Sequence, residues 1–201
     1  LLSCGRYVGA RDVLEEVLRD RDFYENSGGG ITISGGEPLS HPEFVSLLLT
    51  LCREEGLHTA LDTTGYAACE IVERVVKLVD LVLFDVKHLD PEKHRKATGV
   101  DNRLIMENLK RASRVTTTWL RVPLIAGFND ADEEIRELGK LGKSFGVEKI
   151  SLLPYHEGGV SKSAQMGRAY RLPDGRAPDE ERLSRLKEII EEEGVTVSLG
   201  S

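Results

Sequence analysis

Gly35-Gly36-Glu37, Asp62-Thr63, Asp85 with Lys87, Arg121 and His156 are the groups in this 201-residue chain best suited to chemistry. Each set follows a short apolar stretch that reads as a β-strand, or in the case of Arg121 lies within one. Two glycines at a strand end remove the side chains that keep a ligand from the backbone, and Glu37 adds a carboxylate there. Asp85 leaves the run Leu81-Val82-Leu83-Phe84 directly, so it needs a partner, and Lys87 two residues on points to the same face. Carboxylates, cations and an imidazole converging from separate strands onto one rim form the pattern of a small-molecule site. Taken singly, each has a plainer reading. Glu37-Pro38 fits a tight turn into a helix, Asp62 a turn cap, Lys87 a surface charge and His156 a structural histidine.

The elements that must position these groups alternate along the chain. Val13, Leu14, Val17 and Leu18 give one helix face, Ile31 to Ile33 a β-branched strand, and Phe44, Leu47, Leu48, Leu51 and Cys52 a second helix face closed by Gly56. Strands follow at Leu57 to Leu61, Leu81 to Val86, Thr116 to Leu124, Ile150 to Leu153 and Val195 to Leu199. Helices are expected at Glu70 to Leu78, Leu104 to Arg111, Ile135 to Phe145 and near Asp179 to Glu193. A polar loop rich in Gly and Pro spans Glu157 to Pro178. Strand-helix alternation with near-continuous apolar strands implies an α/β fold, a parallel sheet covered by helices. Six strands are too few for a closed eight-unit barrel, so part of a barrel is expected. There is no internal repeat and no domain boundary, and residues 1–201 read as one domain.

The composition bounds the function. A net charge of -7 argues against a broad basic surface for nucleic acid, and 40% hydrophobic with 30% charged residues is ordinary for a globular protein. No apolar run reaches the roughly 18 residues of a membrane span, and no basic-then-apolar leader is present, which points to the cytoplasm. Cys4, Cys52 and Cys69 are an odd number without metal-ligand spacing, and reduced structural thiols are the plain reading. The chain opens Leu1-Leu2 and not with Met, as expected of a processed, trimmed or partly cloned polypeptide.

Several ordered blocks resemble one family. They are Tyr24 to Pro38, Gly56 to Tyr66, Asp80 to Lys87, Arg121 to Asp130 and Leu152 to Glu157, followed by Lys162, Met166-Gly167 and Tyr170. Together these blocks closely resemble the glycyl-radical-enzyme activating enzymes, radical S-adenosylmethionine (SAM) proteins of the pyruvate formate-lyase activase type. The resemblance implies a partial (β/α) barrel of six units whose rim holds SAM beside a [4Fe-4S] cluster. SAM cleavage yields a 5'-deoxyadenosyl radical that takes hydrogen from a glycine of a partner glycyl radical enzyme, with electrons from a donor such as flavodoxin or ferredoxin.

Matched residue by residue, the resemblance implies that Gly35, Gly36 and Glu37 meet the methionyl ammonium through backbone carbonyls, with Asp62 and Thr63 as a second contact near it. By the same match, Lys87 of the Asp85-x-Lys87 motif would suit the SAM carboxylate, His156 would lie beside the adenosine, and Arg121 would be a cation in the cleft. Asp62, Thr63 and Asp85 are also candidates to share a monovalent cation. Arg121 and the Glu157 to Pro178 loop are candidates to line the entry of the partner's glycine loop.

The chain departs from the family at the cysteines, because the Cys-x3-Cys-x2-Cys loop that holds the cluster is not in this sequence. That places the cluster loop, the first barrel strand and any ferredoxin-like insert upstream of Leu1. The chain is then expected to be a C-terminal portion of an activase, inactive by itself. Two alternatives stay open: a non-catalytic barrel module that binds a protein partner, and an iron-independent barrel lyase using Asp85, Lys87 and His156 in acid-base catalysis.

Overall fold

A computed structural model describes residues 6–155 and 175–200. Within them, six parallel strands pair in chain order: β1 (Gly30–Ile33), β2 (His58–Thr63), β3 (Leu81–Asp85), β4 (Thr117–Leu124), β5 (Lys149–Pro154) and β6 (Thr196–Leu199). The helices between them are α1 (Ala10–Leu18), α2 (Arg21–Ser27), α3 (Pro42–Glu54), α4 (Cys69–Val76), α5 (Pro91–Thr98), α6 (Arg103–Ala112), α7 (Asp132–Phe145) and α8 (Glu180–Glu192). A sheet wound in one direction, with no pairing between β1 and β6, is an open section of a β/α barrel. None of the helices among the described residues is long and apolar enough to cross a membrane.

The strands differ on their two faces. Leu61, Val82, Phe84, Leu120, Val122, Leu124, Ile150 and Leu152 are buried and form the main core with the apolar stripes of α4, α6, α7 and α8. Along β3 and β4 the residues of opposite parity are only half-buried, as the alternating burial of these strands shows. That inner face carries Leu81, Leu83 and Trp119 low in the barrel and the polar groups higher up. Trp119 donates through Nε1 to Glu148 at 2.7 Å, and the Lys149 ammonium sits 3.2 Å over its ring.

The elements expected from periodicity are present, with ends shifted by at most three residues. Three short elements carry no apolar stripe and were not expected: α2, α5 and the 3-10 turn Pro38–Ser40. α5 is fixed by its ends, because Asp90 accepts from Glu92 N and Lys93 N at 2.8 Å and Gly99 closes it with φ +101°.

The turn after β2 depends on one glycine. Gly65 has φ +66°, and a Cβ there would lie 2.2 Å from Phe84 Cζ in the core. Gly65→Ala is therefore expected to destabilise the fold by about 1–3 kcal/mol, through combined backbone strain and overpacking. A urea unfolding curve checks this, and an unshifted midpoint would mean that the ring has room to turn away.

Candidate functional site

The register explains why the polar strand ends meet. Ile33 pairs Leu61, Asp62 pairs Leu83, and Asp85 pairs Arg121, which in turn pairs Ser151. One residue beyond the Ile33–Leu61 pair Ser34 stands opposite Asp62, and Asp85 is two residues beyond Leu83, so Ser34, Asp62, Asp85 and Arg121 share the inner face of four adjacent strands. They form a continuous polar row. Ser34 Oγ donates to Asp62 Oδ2 at 2.8 Å, and Arg121 Nη1 lies 3.4 Å from the same oxygen. Arg121 Nε approaches Asp85 Oδ1 to 3.1 Å, and Lys87 Nζ donates to Asp85 Oδ2 at 2.8 Å.

The row is accessible and incompletely bonded. Its charged side chains are between 15% and 35% exposed. Asp85 Oδ1 and Arg121 Nε are in ionic contact, yet both are buried atoms without an aligned hydrogen bond. An ammonium has three donors, of which Lys87 spends one on Asp85. Two carboxylates and two cations alternate along the row, so a zwitterionic ligand can exchange charge for charge. Its ammonium would take the Asp62 end and its carboxylate the Lys87 end.

The Glu37 side chain is spent on the loop itself. Its Oε1 accepts from Leu39 N at 3.1 Å and from the Thr63 hydroxyl, while Oε2 accepts from Thr64 N at 2.9 Å and Thr64 Oγ1 at 2.6 Å. The carboxylate caps the 3-10 turn and ties the end of β1 to the end of β2. What this leaves for a ligand is backbone. Nothing lies within 4 Å of where a Cβ of Gly35 or Gly36 would be, and a cleft of about 340 Å³ opens beside them between Ser34, Pro38, His41 and Phe44.

Of the residues expected at the site, Gly35, Gly36, Glu37, Asp62, Asp85, Lys87 and Arg121 are at one rim. Thr63 is next to Asp62 in sequence but on the other face of β2, buried, with its hydroxyl on Glu37 and its oxygen accepting from Gly65 N. Asp62, Thr63 and Asp85 therefore do not converge as three oxygen ligands, and the Arg121 guanidinium lies between the two carboxylates. His156, Lys162, Met166, Gly167 and Tyr170 lie outside the described residues, as does Cys4. Cys52 is buried in α3 and Cys69 opens α4. Among the described residues no three His, Cys, Asp or Glu side chains gather to hold a metal, so they do not fit an iron-sulfur cluster. The polar row and the bare glycine backbone do fit the charged amino-acid end of an organic ligand.

Sequence reasoning missed the side chains that brace the rim. Ser34 was signalled by its place opposite Asp62, and Thr64 by the Asp-Thr-Thr-Gly run. His88 carried no signal. Its Nδ1 accepts from Asp90 N at 2.9 Å, which places the proton on Nε2, 3.2 Å from the Phe128 carbonyl oxygen. Burial holds its pKa below the ordinary value, against the raising effect of Glu134 at 3.6 Å.

Three comparisons bear on this site. The Radical SAM superfamily model matches residues 5–139. The trans-4-hydroxy-L-proline dehydratase activating enzyme of Clostridioides difficile is 38% identical over 200 residues, which are 98% of this chain. The chain spans 66% of that relative's length. The pyruvate formate-lyase-activating enzyme of Clostridium pasteurianum is 37% identical over 193 residues, covering 95% of this chain and 81% of the relative. In structure, a domain of the pyruvate-formate lyase-activating enzyme from Bacteroides vulgatus superposes with a TM-score of 0.73 at 32% identity. The match covers 86% of this chain and 99% of that domain.

A buried neutral histidine makes stability depend on pH. With the folded pKa of His88 below its unfolded value near 6.5, the unfolded chain binds the proton more readily. Its contribution is complete above the unfolded pKa and is lost as pH falls toward the folded one. Between about pH 7 and pH 5, the stability of His88→Gln should therefore fall less than that of the wild type. Thermal midpoints across that range would show parallel slopes for the two proteins if the histidine were indifferent to burial.

Proposed function

The chain belongs to the Radical SAM superfamily and, within it, to the glycyl-radical-enzyme activating enzymes, and from that premise we propose that its rim binds SAM for the activation of a glycyl radical enzyme. The observation that carries the reading is the alternating row Asp62, Arg121, Asp85 and Lys87, open to solvent beside two glycines. In this reading Asp62 and the bare backbone of Gly35 and Gly36 take the methionyl ammonium, and Lys87 takes the carboxylate as a compact cation. Asp85 holds Lys87 and Arg121 in place from below. Glu37 and Thr63 act through the loop, by keeping the glycine turn against β2.

When bound, SAM would supply, after one-electron reduction by a cluster that the described residues do not hold, the deoxyadenosyl group that takes hydrogen from the partner's glycine. The part of this chain is to hold the ligand's two charged ends in a fixed order and to leave the inner face of the barrel open toward the partner. Support for that opening comes from the half-buried inner residues of β3 and β4. An electron donor such as flavodoxin or ferredoxin, and a cytoplasmic location, belong to the same reading. The net charge of -7 supports the exclusion of nucleic acid as a partner.

Calorimetry with SAM tests the assignment. Lys87→Ala removes the counter-charge of the carboxylate and should weaken binding by about 1.5–3 kcal/mol, the scale of a charge-assisted hydrogen bond. Equal affinities for wild type and variant would end the role given to Lys87. The opening can be probed separately, by crosslinking to a glycyl radical enzyme. Contacts should fall around Arg121 and the inner face, and contacts confined to the outer helices would refute the geometry.

A further inference from the structure

The backbone that carries Lys87 has left the sheet, and something else must hold it. β3 ends at Asp85, and the last ladder bond on this segment runs from Val86 N to Arg121 O at 3.0 Å. Beyond it, the Lys87 carbonyl has no strand neighbour. Asn129 fills that place. Its Nδ2 gives one hydrogen to Lys87 O at 3.0 Å and the other to Pro123 O at 2.7 Å, while its Oδ1 accepts from Ile125 N at 2.8 Å. The amide is 5% exposed, and both its hydrogens and its oxygen are engaged.

The turn that presents Asn129 is itself fixed. Phe128 N bonds to Ile125 O at 3.0 Å, Gly127 takes φ +74°, and Gly127 N donates to Asp130 Oδ1 at 2.7 Å. Arg182 at the start of α8 then grips Asp130 O and pairs with Asp132 at 2.6 Å. A different amide serves the next residues: Asn102 donates to His88 O at 2.8 Å and to Leu89 O at 2.6 Å. Asn129 is thus the side chain that fixes the carbonyl of Lys87 itself.

We infer that Asn129 is a positioning residue for Lys87, setting where the ammonium stands and so how well the rim recognises a ligand carboxylate. The inference rests on the reading that Lys87 receives the SAM carboxylate. A lysine stem has four rotatable bonds, so its head is placed only if its Cα is fixed and its end is anchored. Asp85 supplies the second of these and Asn129 the first. With the Lys87 carbonyl released, the peptide between Lys87 and His88 loses its one side-chain anchor while Asn102 still holds the residues beyond, and the ammonium loses its register with Asp85.

The test uses calorimetry on the whole chain with two probes: SAM, and decarboxylated SAM, which keeps the ammonium, sulfonium and adenosine but lacks the carboxylate. The readout is the ratio of the two affinities. Lys87→Ala should bring the preference for SAM close to unity. Asn129→Ala should cut it roughly fivefold or more, and adding that change to Lys87→Ala should cut it no further. Asn129→Asp keeps the shape and the acceptor for Ile125 N but loses both donors, and decides the matter if the alanine variant does not fold. Asn102→Ala is the comparison: it should lower the thermal midpoint while keeping the preference. A wild-type preference in both Asn129 variants, or an equal collapse in Asn102→Ala, would overturn the inference and leave the role of Lys87 standing. An unchanged preference in Lys87→Ala, or no binding of SAM by the wild type, would overturn the reading beneath it as well.

Discussion

The parity of the parallel register is the constraint on which the rest of this molecule depends. Side chains alternate across a strand, so a slip of one residue in any pairing among β1 to β4 would move a member of the polar row into the core and a core residue into the cleft. The packing on the outer face forbids such a slip. Leu61, Val82, Phe84, Leu120 and Leu124 are fully buried, and each holds its neighbours on the same strand to the inner side. Apolar burial on one face thus decides which polar groups meet on the other.

Charge placement follows from the same parity. Asp62 and Asp85 lie within a few ångströms of one guanidinium, and Lys87 balances the second carboxylate. Half-buried ion pairs of this kind add little net stability, because desolvation offsets much of the attraction. What they fix is arrangement. Loss of any one member leaves a neighbour with an unbalanced charge in a partly dry place, so the row keeps its order until a ligand of matching charges replaces the missing contacts.

Much of this was legible in the sequence. Apolar runs ending in Gly-Gly-Glu, Asp-Thr and Asp-x-Lys located the strands and their rim, and the need of Asp85 for a partner led to Lys87. Two kinds of information were not. α5 is polar all round, so periodicity was blind to it, and its Asp90-Pro91 start and Gly99 stop were the only signals. The roles of Glu37, Thr63 and Asn129 depend on bonds between loops distant in sequence, and residue type alone cannot separate a ligand contact from a brace. Asp62 and Thr63 show the point within one dipeptide: neighbours along the chain, they stand on opposite faces of the strand.

The indole on the inner face gives the cleft an optical handle. Trp119 is the chain's single tryptophan, two residues before Arg121 on the same strand and the same face. With Lys149 over its ring and Glu148 at its nitrogen, its emission is set by charges that belong to the barrel floor. Tryptophan fluorescence from these 201 residues therefore originates at one place, beneath the polar row. Changes in the hydration or field of the cleft can be followed there in the native chain, with no label attached.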